Sequence, residues 1–393
     1  MLHVYKSIRR GARHLNTAGP RLAAQNAIPA TYYRGGTSRA VIFRKEDLPS
    51  DQSQWPNIFR AVIGSPDPNG RQLDGMGGGL SSLSKVCVVG PSTESDADVD
   101  YTFVAIGVKN DEVDFSSNCG NMTSAIGPFA VDAGLVPRPK DGETSVLIRN
   151  TNTNKRIRAT FVAQDGEAVT SGPFAIDGVA GTGSKIKLAF QRPSGSKTGK
   201  TLPTDKVVDS FDGVRATCID VGNPCVFVLA SELGVDGCIL ADDITAHPTL
   251  LNRLDSIRRQ AAVAMGLAKD TETVPGSIPK IAMVTTPREH RLLSGDTLDE
   301  KSCDVVVRAI SVGQPHQAVP ITVAMALAAA ARLPGSTVNE CVASTPVDAD
   351  GVTLGHNSGK ILVGSTFDEK GVVEEAIVFR TARRLMEGKV YHK

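Results

Sequence analysis

Ser116-Ser117-Asn118-Cys119-Gly120-Asn121 opens an apolar-periodic stretch that runs to Leu135, and Gly313-Gln314-Pro315-His316-Gln317 opens an alanine-rich run to Leu333. Each reads as a polar turn followed by a helix. Upstream of both turns the chain repeats itself. Asp100–Ile106 matches Asp304–Ile310, and Lys85-Val86-Cys87-Val88-Val89 matches Lys280-Ile281-Ala282-Met283-Val284 at an offset of 195 residues. Further back, the turn and strand Arg34–Phe43 correspond to Asp220–Val228. Lys85 to Cys119 spans 34 residues, and Lys280 to His316 spans 36. Strand patterns follow each helix, at Ser145–Phe161 and at Val352–Phe367.

A period near 190 residues is too long for a solenoid. It predicts two homologous halves, each a strand-rich layer around one buried helix. The central helices follow Cys119 and His316. Residues 180–205, rich in Gly, Pro, Lys and Ser, read as a connection between the halves. Polar residues at the heads of two equivalent helices point to a cleft at the pseudo-twofold interface, where ligands commonly bind.

Composition sets the outer bounds. A chain of 393 residues, 41% hydrophobic and 22% charged, can bury a core without disulfides or metals. The formal charge of +1 excludes an overall basic nucleic-acid binder and a highly charged disordered chain. That balance hides an asymmetry. Residues 1–26 hold five basic residues and no acid, which leaves 38 basic against 42 acidic residues in the rest. Leu2, Tyr5, Ile8, Ala12 and Leu15 fall on one helical face, so this leader reads as a mitochondrial transit peptide; the alternative is a mildly basic tail on a cytoplasmic protein. The longest apolar stretch, Ile321–Ala331, is too short to span a bilayer, so no membrane association is expected. The seven cysteines include no C-x-x-C pair, and no two histidines have metal-ligand spacing. No disulfide framework, metal or cofactor is expected.

Two motifs imitate cofactor sites. Gly195–Thr201 reads G-x-x-x-G-K-T, one residue short of a phosphate loop, and a poor helix start follows it. Asp74-Gly75-Met76-Gly77-Gly78-Gly79 lacks the helix of a dinucleotide fingerprint. Its glycines read as sites of close backbone approach. Cys119 is different. A thiol at the mouth of a helix has its thiolate stabilised by free N–H groups, which can also hold a carboxylate. Lys85 heads the strand Val-Cys-Val-Val. Taken alone it reads as an edge-strand lysine, and its repeat partner Lys280 adds interest.

Tyr33–Arg39, Asp74–Gly79, Ser84-Lys85-Val86, Ser117–Asn121, Ser194–Thr204 and Gly355-His356-Asn357-Ser358-Gly359 together resemble the PrpF family, over about residues 28–380. The resemblance implies an α+β, diaminopimelate-epimerase-like fold. It has two homologous domains, each a β-barrel-like sheet around a central helix, with the active site in the cleft between them. The expected boundaries are 27–203 with about 370–393 for the first domain and 204–369 for the second. The family isomerises unsaturated di- and tricarboxylates such as aconitate or methylitaconate. By resemblance, Lys85 and Cys119 take the positions of the catalytic pair.

The candidate substrate-binding set comprises Thr37, Ser38, Arg39, Asn118, Gly120, Asn121, Asn223, Lys280, His316, Gln317, His356 and Ser358. Epimerases and racemases of this fold place a second cysteine at the start of the second helix. Here that position reads as His316, which disfavours a two-thiol epimerase. Thr322-Val323-Ala324 stands where family members commonly carry Thr-Gly-Ala, and the valine narrows the space beside that helix. The expected activity is a cofactor-independent shift of a C=C bond. The alternatives are a keto–enol tautomerase of the oxalomesaconate type and an accessory protein to an aconitase-like iron–sulfur enzyme. The expected partners are a small polycarboxylate and a second copy of the chain in a homodimer, with no nucleic acid.

Overall fold

Residues 25–115, 118–276, 278–311, 313–369 and 371–393 are described by a computed structural model. The basic leader lies outside them except for its last two residues. Among the described residues the α-helices are α1 (Trp55–Ile63), α2 (Gly120–Asp132), α3 (Ala241–Ala246), α4 (Leu250–Ala264) and α5 (Ile321–Ala331).

The repeat seen in the sequence is a repeat of topology. In the first half, Asn26–Gly35 and Ser38–Arg44 form a hairpin. Ser38–Arg44 then runs parallel to Lys85–Pro91, which is antiparallel to Val99–Ile106. That strand is parallel to Gly142–Asn150, which closes a hairpin with Lys155–Gln164. The second half follows the same order. Val214–Asp220 and Pro224–Leu229 form the hairpin, and Lys280–Thr285, Val305–Ser311, Val352–His356 and Gly359–Phe367 follow with the same alternation. Parallel neighbours require a crossover. In each half one crossover carries an outer helix, α1 or α3–α4. The other carries the central helix, α2 or α5.

The strands packed between a central and an outer helix, such as Ser38–Arg44, Pro224–Leu229 and Lys280–Thr285, are buried on both faces, so they read as near-continuous apolar runs. Ala40 and Ile42 face α2 with Cys87 and Val89, in the core that also holds Met122, Ile126 and Phe129. Val41 and Phe43 face the other way, against Trp55 and Phe59 of α1. In the second half Val226 and Val228 pack on Leu254 and Ile257 of α4, while Cys225 and Phe227 join the α5 core. Both central helices share one continuous core.

A helix inside a sheet must be apolar all round. Met122–Val131 of α2 and Val323–Ala331 of α5 are buried throughout. Small residues allow the close approach. A Cβ on Gly127 would lie 2.9 Å from that of Ala159, and α5 carries six alanines. The last carbonyls of α5 are satisfied by side chains. Ser336 donates to Ala330 at 2.6 Å and Asn339 donates to Ala331 at 2.8 Å.

The segment expected as a connection holds a strand, Ile186–Gln191. It pairs with Lys155–Gln164 on one side and Val373–Arg380 on the other. Val373–Arg380 also pairs with Gly359–Phe367, so the two sheets join edge to edge. The period-2 alternation of Ile186, Leu188 and Phe190 was hidden between Gly/Ser/Lys-rich flanks. The final strand, Ala382–His392, returns to pair with Asn26–Gly35.

Both imitation motifs have structural work. The loop at Gly195–Thr201 wraps the buried carboxylate of Asp220. The N–H groups of Lys197 and Thr198 donate to it at 2.8 Å each, and Ser196 Oγ donates at 2.5 Å. It is an anion nest filled by its own chain. The glycines after Asp74 approach the end of α1. Met76 and Gly77 donate to the carbonyls of Val62 and Ile63, and a Cβ on Gly75 would lie 2.2 Å from the Gly64 nitrogen.

Candidate active site

The first turns of the two central helices meet. A Cβ on Gly120, the first residue of α2, would lie 2.9 Å from Ile321 Cδ1, on the first residue of α5. Cys119 is the N-cap of α2, with extended backbone (φ −108°, ψ 101°) and no capping bond from its side chain. It is half-buried, and its sulfur is not used to close the helix. Thr123 does that, donating through its N–H to the Cys119 carbonyl at 2.9 Å. Thr123 Oγ1 also donates to Asn118 Oδ1 at 3.2 Å, which fixes the residue before the thiol. The N–H groups of the first turn have no partners within the helix and lie beside the first residue of α5.

His316 is not the equivalent of Cys119. Gln314–Pro315 pairs with Val305–Ser311, and the His316 N–H donates to the Ala309 carbonyl at 2.8 Å. Helix α5 begins five residues later, capped by Pro320 (φ −60°, ψ 139°). In the first half Val113–Asp114 pairs with Val99–Ile106 in the same way, and Cys119 follows at the same spacing. Pro320 is therefore the positional counterpart of Cys119. The expectation failed because a polar turn was read as a cap when its first residues extend the sheet. The absence of a second thiol at that position holds, with proline in place of histidine.

Lys85 lies on a strand paired on both sides, which removes its reading as an edge residue. It shares the α2-facing side of that strand with Cys87, and its Nζ sits 5.1 Å from the Phe103 ring centroid. Burial pushes the Cys87 thiol well up. The neighbouring Cys119 adds to this and Lys85 opposes it, so Cys87 stands within electrostatic reach of both. Lys280, in register beside Cys225, reaches Thr322 Oγ1 at 3.4 Å. Burial, and then Lys280, hold His316 below the ordinary imidazole range.

The Gly36–Thr37 turn rests on the head of α2. Gly36 has φ +50°, and a Cβ there would lie 2.3 Å from Asn121 Oδ1. Asn121 Nδ2 donates to Thr37 Oγ1 at 3.0 Å, and Arg380 Nε donates to Asn121 Oδ1 at 3.1 Å. Arg380 is only 8% exposed and has no carboxylate partner among the described residues. Burial lowers its pKa to about 10, with Cys119 opposing. In the second half the corresponding turn, at Gly222 (φ +72°) beside Asn223, rests on Met325 of α5.

Opposite stands the 356–359 turn. Ser358 Oγ donates to the Gln317 carbonyl at 2.5 Å, and Asn357 Nδ2 donates to the His316 carbonyl at 2.8 Å. Burial, with Arg308, Arg380 and His290 nearby, drives His356 down to about 3, so its ring is neutral. Asp177 accepts the Lys360 N–H, and Gly178 lies against Thr37. That loop links the two turns.

The fold thus gathers Thr37, Lys85, Asn118, Cys119, Gly120 and Asn121 around the head of α2. Lys280, His316, Gln317, His356 and Ser358 lie around the approach to α5. Ser38 is buried on the α2 side of its strand. Arg39 is on the other face, 5.7 Å from the Tyr32 ring centroid and close to Gly78, apart from these groups. Arg380 was missed. Its sequence signal is slight, a single cation ending the apolar run Ala376–Phe379. Val323 is fully buried on α5. Two helix N-termini, three cations and neutral imidazoles make a locally positive site in a chain with little net charge.

A 3-methylitaconate isomerase from Eubacterium barkeri is 38% identical over 378 residues, covering 94% of this chain and 98% of that protein. A 2-methyl-aconitate isomerase from Shewanella oneidensis is also 38% identical, over 93% of this chain and 96% of its own length. The crystal structure of a methylitaconate Δ-isomerase superposes with a TM-score of 0.87 at 38% identity, covering 94% of this chain and 96% of that one. Residues 25–393 match the family model described as PrpF protein, and the chain belongs to that family.

Proposed function

We propose that this protein is a cofactor-independent isomerase that moves a C=C bond in an unsaturated di- or tricarboxylate by allylic proton transfer. The observation that carries this reading is Cys119 at the open head of α2, with Lys85 facing the same helix and Cys87 within reach of both. The relatives named for 3-methylitaconate and 2-methyl-aconitate support the substrate class. In this reading, one of the pair removes a proton from the carbon γ to a carboxylate-activated double bond. The electron pair delocalises into a dienolate, and a proton returned at the α-carbon completes the shift. No atom is gained or lost. Unpaired helix N–H groups and the local cations stabilise the developing charge where it forms. The neutral His316 and His356 are suited to hydrogen-bonding a carboxylate rather than pairing with it as ions.

The repeated strand order and the return of the last strand to the first support assigning residues 27–203 and about 370–393 to the first domain and 204–369 to the second. The acid-free composition of the leader is the ground for reading it as a mitochondrial address.

The test is solvent exchange. Protein incubated in D₂O with cis-aconitate, trans-aconitate or methylitaconate should place deuterium at the allylic carbon, followed by NMR. Cys119→Ser and Lys85→Ala should each slow it, by roughly 10²–10⁴-fold. Absence of exchange with every unsaturated acid overturns the isomerase reading.

A further inference from the structure

We propose that Arg380 is a positioning residue that fixes, through Asn121, the direction of the Thr37 hydrogen bond, so that the Thr37 hydroxyl is committed as a donor to a substrate carboxylate. This rests on the proposed reading of the cleft as a polycarboxylate site.

The argument is one of donors and acceptors. A guanidinium Nε–H can only donate, so the Asn121 atom it meets at 3.1 Å must be the amide oxygen. The amide orientation is then fixed, and its nitrogen faces Thr37 at 3.0 Å. That nitrogen can only donate, so Thr37 Oγ1 accepts. The threonine proton must point elsewhere, and among the described residues it meets no protein acceptor. Thr37 is exposed at the turn beside the head of α2, and the loop at Gly178 packs on its methyl group.

Three features make the orientation firm. Arg380 is only 8% exposed and its Nη1 donates to the Phe379 carbonyl at 2.8 Å, which anchors the guanidinium. Its stem packs against the Gly36 turn, where an added Cβ would lie 3.2 Å from Arg380 Cδ and 2.3 Å from Asn121 Oδ1. No acidic side chain among the described residues pairs with it, so the amide oxygen is its side-chain acceptor. A ligand group held by Thr37 is thereby required to accept. An ionised carboxylate satisfies this; a group that presents only a donor does not.

The test is a cycle of Thr37→Val, Arg380→Met and the double variant. Methionine keeps the aliphatic stem and removes the donor. Turnover of the substrate established by deuterium exchange and calorimetric binding of trans-aconitate are both measured. Each single variant should raise KM and Kd by roughly tenfold to a hundredfold, with a smaller change in kcat. The double variant should be no worse than the weaker single one, because both remove the same bond. Asn121→Asp should show the same KM effect, since a carboxylate keeps Arg380 but accepts the Thr37 hydroxyl's hydrogen bond, so that donor is no longer free for substrate. Arg380→Gln, which can still donate to Asn121, should recover part of the loss.

Multiplicative effects in the double variant, or Arg380→Met altering melting temperature and kcat without KM or Kd, would overturn the relay. If wild type binds trans-aconitate and the cycle is non-additive while no acid is isomerised, the relay stands and the isomerase reading falls. If wild type neither binds nor turns over any of these acids, both fall.

Discussion

The heads of the two central helices are built on one plan and hold different chemistry. Cys119 caps α2 where Pro320 caps α5. Two residues further on, Asn121 is held by Arg380 and Thr322 by Lys280. The paired lysines diverge for a local reason. Phe103 lies opposite Cys87 in the first half, so Lys85 rests over an aromatic face; Ala309 lies opposite Ala282 in the second, so Lys280 extends to a hydroxyl. Duplication supplied two helix N-termini aimed at one point, which suits an anion with more than one carboxylate. Divergence left a titratable nucleophile at one of them only. Under the proposed function, the proton chemistry would belong to the α2 side and the α5 side would hold the substrate.

The largest expected effect breaks the equivalence of the two lysines. Lys85→Met should lower kcat by roughly 10²–10⁴-fold, as for loss of a proton-transfer group. Lys280→Met should mainly raise KM, by about 1.5–3 kcal/mol of binding if it holds a carboxylate. It should also raise the His316 pKa, because Lys280 is one of the two causes of its depression. Steady-state kinetics separate the first two results, and imidazole NMR titration reads the third. Equal kcat losses for both lysines would show that the halves share the chemistry.

How much of this was legible depended on the range of the contacts. The duplication was written in local strand patterns that recur in the same order, so the pairings Lys85/Lys280 and Asp100/Asp304 were readable. Cys119 was readable because Asn, Ser and Gly around it are wrong for a core. The α5 start was misplaced because Gln314–His316 looks like a cap, and only the pairing of Gln314–Pro315 with the preceding strand shows otherwise. Pro320 before an uninterrupted apolar run was the better signal. Arg380 was not legible. It meets Asn121 across 259 residues, through a strand whose partners come from both halves. No local pattern encodes that approach.

A second contrast lies in the hairpins that follow the central helices. Asn150 ends one, buried and held by bonds to Tyr101, Asn152 and Thr153; His356 ends the other, buried and depressed to about 3. The depressed histidine makes the second half acid-sensitive. Between about pH 3 and the ordinary value of 6.5, the unfolded chain binds a proton at His356 that the folded chain refuses. Its contribution is complete above pH 6.5 and is lost as pH falls through that window. Melting temperature should fall more steeply from pH 7 to pH 5 in wild type than in His356→Asn, which copies the first-half residue. His290 and His316 are depressed too, so the slope should shrink rather than vanish. An unchanged slope would place the acid sensitivity elsewhere.

The smallest effect concerns the point where the heads touch. Gly120→Ala would bring a Cβ to 2.9 Å from Ile321 Cδ1 and 3.2 Å from Cγ2. The isoleucine end must give way, while alanine gains about 0.5–1 kcal/mol over glycine in a helix. Stability should therefore change by less than about 1 kcal/mol. The separation of the two helix heads should change instead, and with it the match to a substrate held at both. Ile321→Val removes the Cδ1 atom, so Gly120→Ala/Ile321→Val should recover a severalfold loss of kcat/KM seen in Gly120→Ala alone. Recovery would show that the spacing of two unequal helix heads, rather than either head alone, tunes the site. A loss that Ile321→Val does not repair would mean that the glycine serves the Cys119 turn itself, and that the α5 side contributes less than the comparison implies.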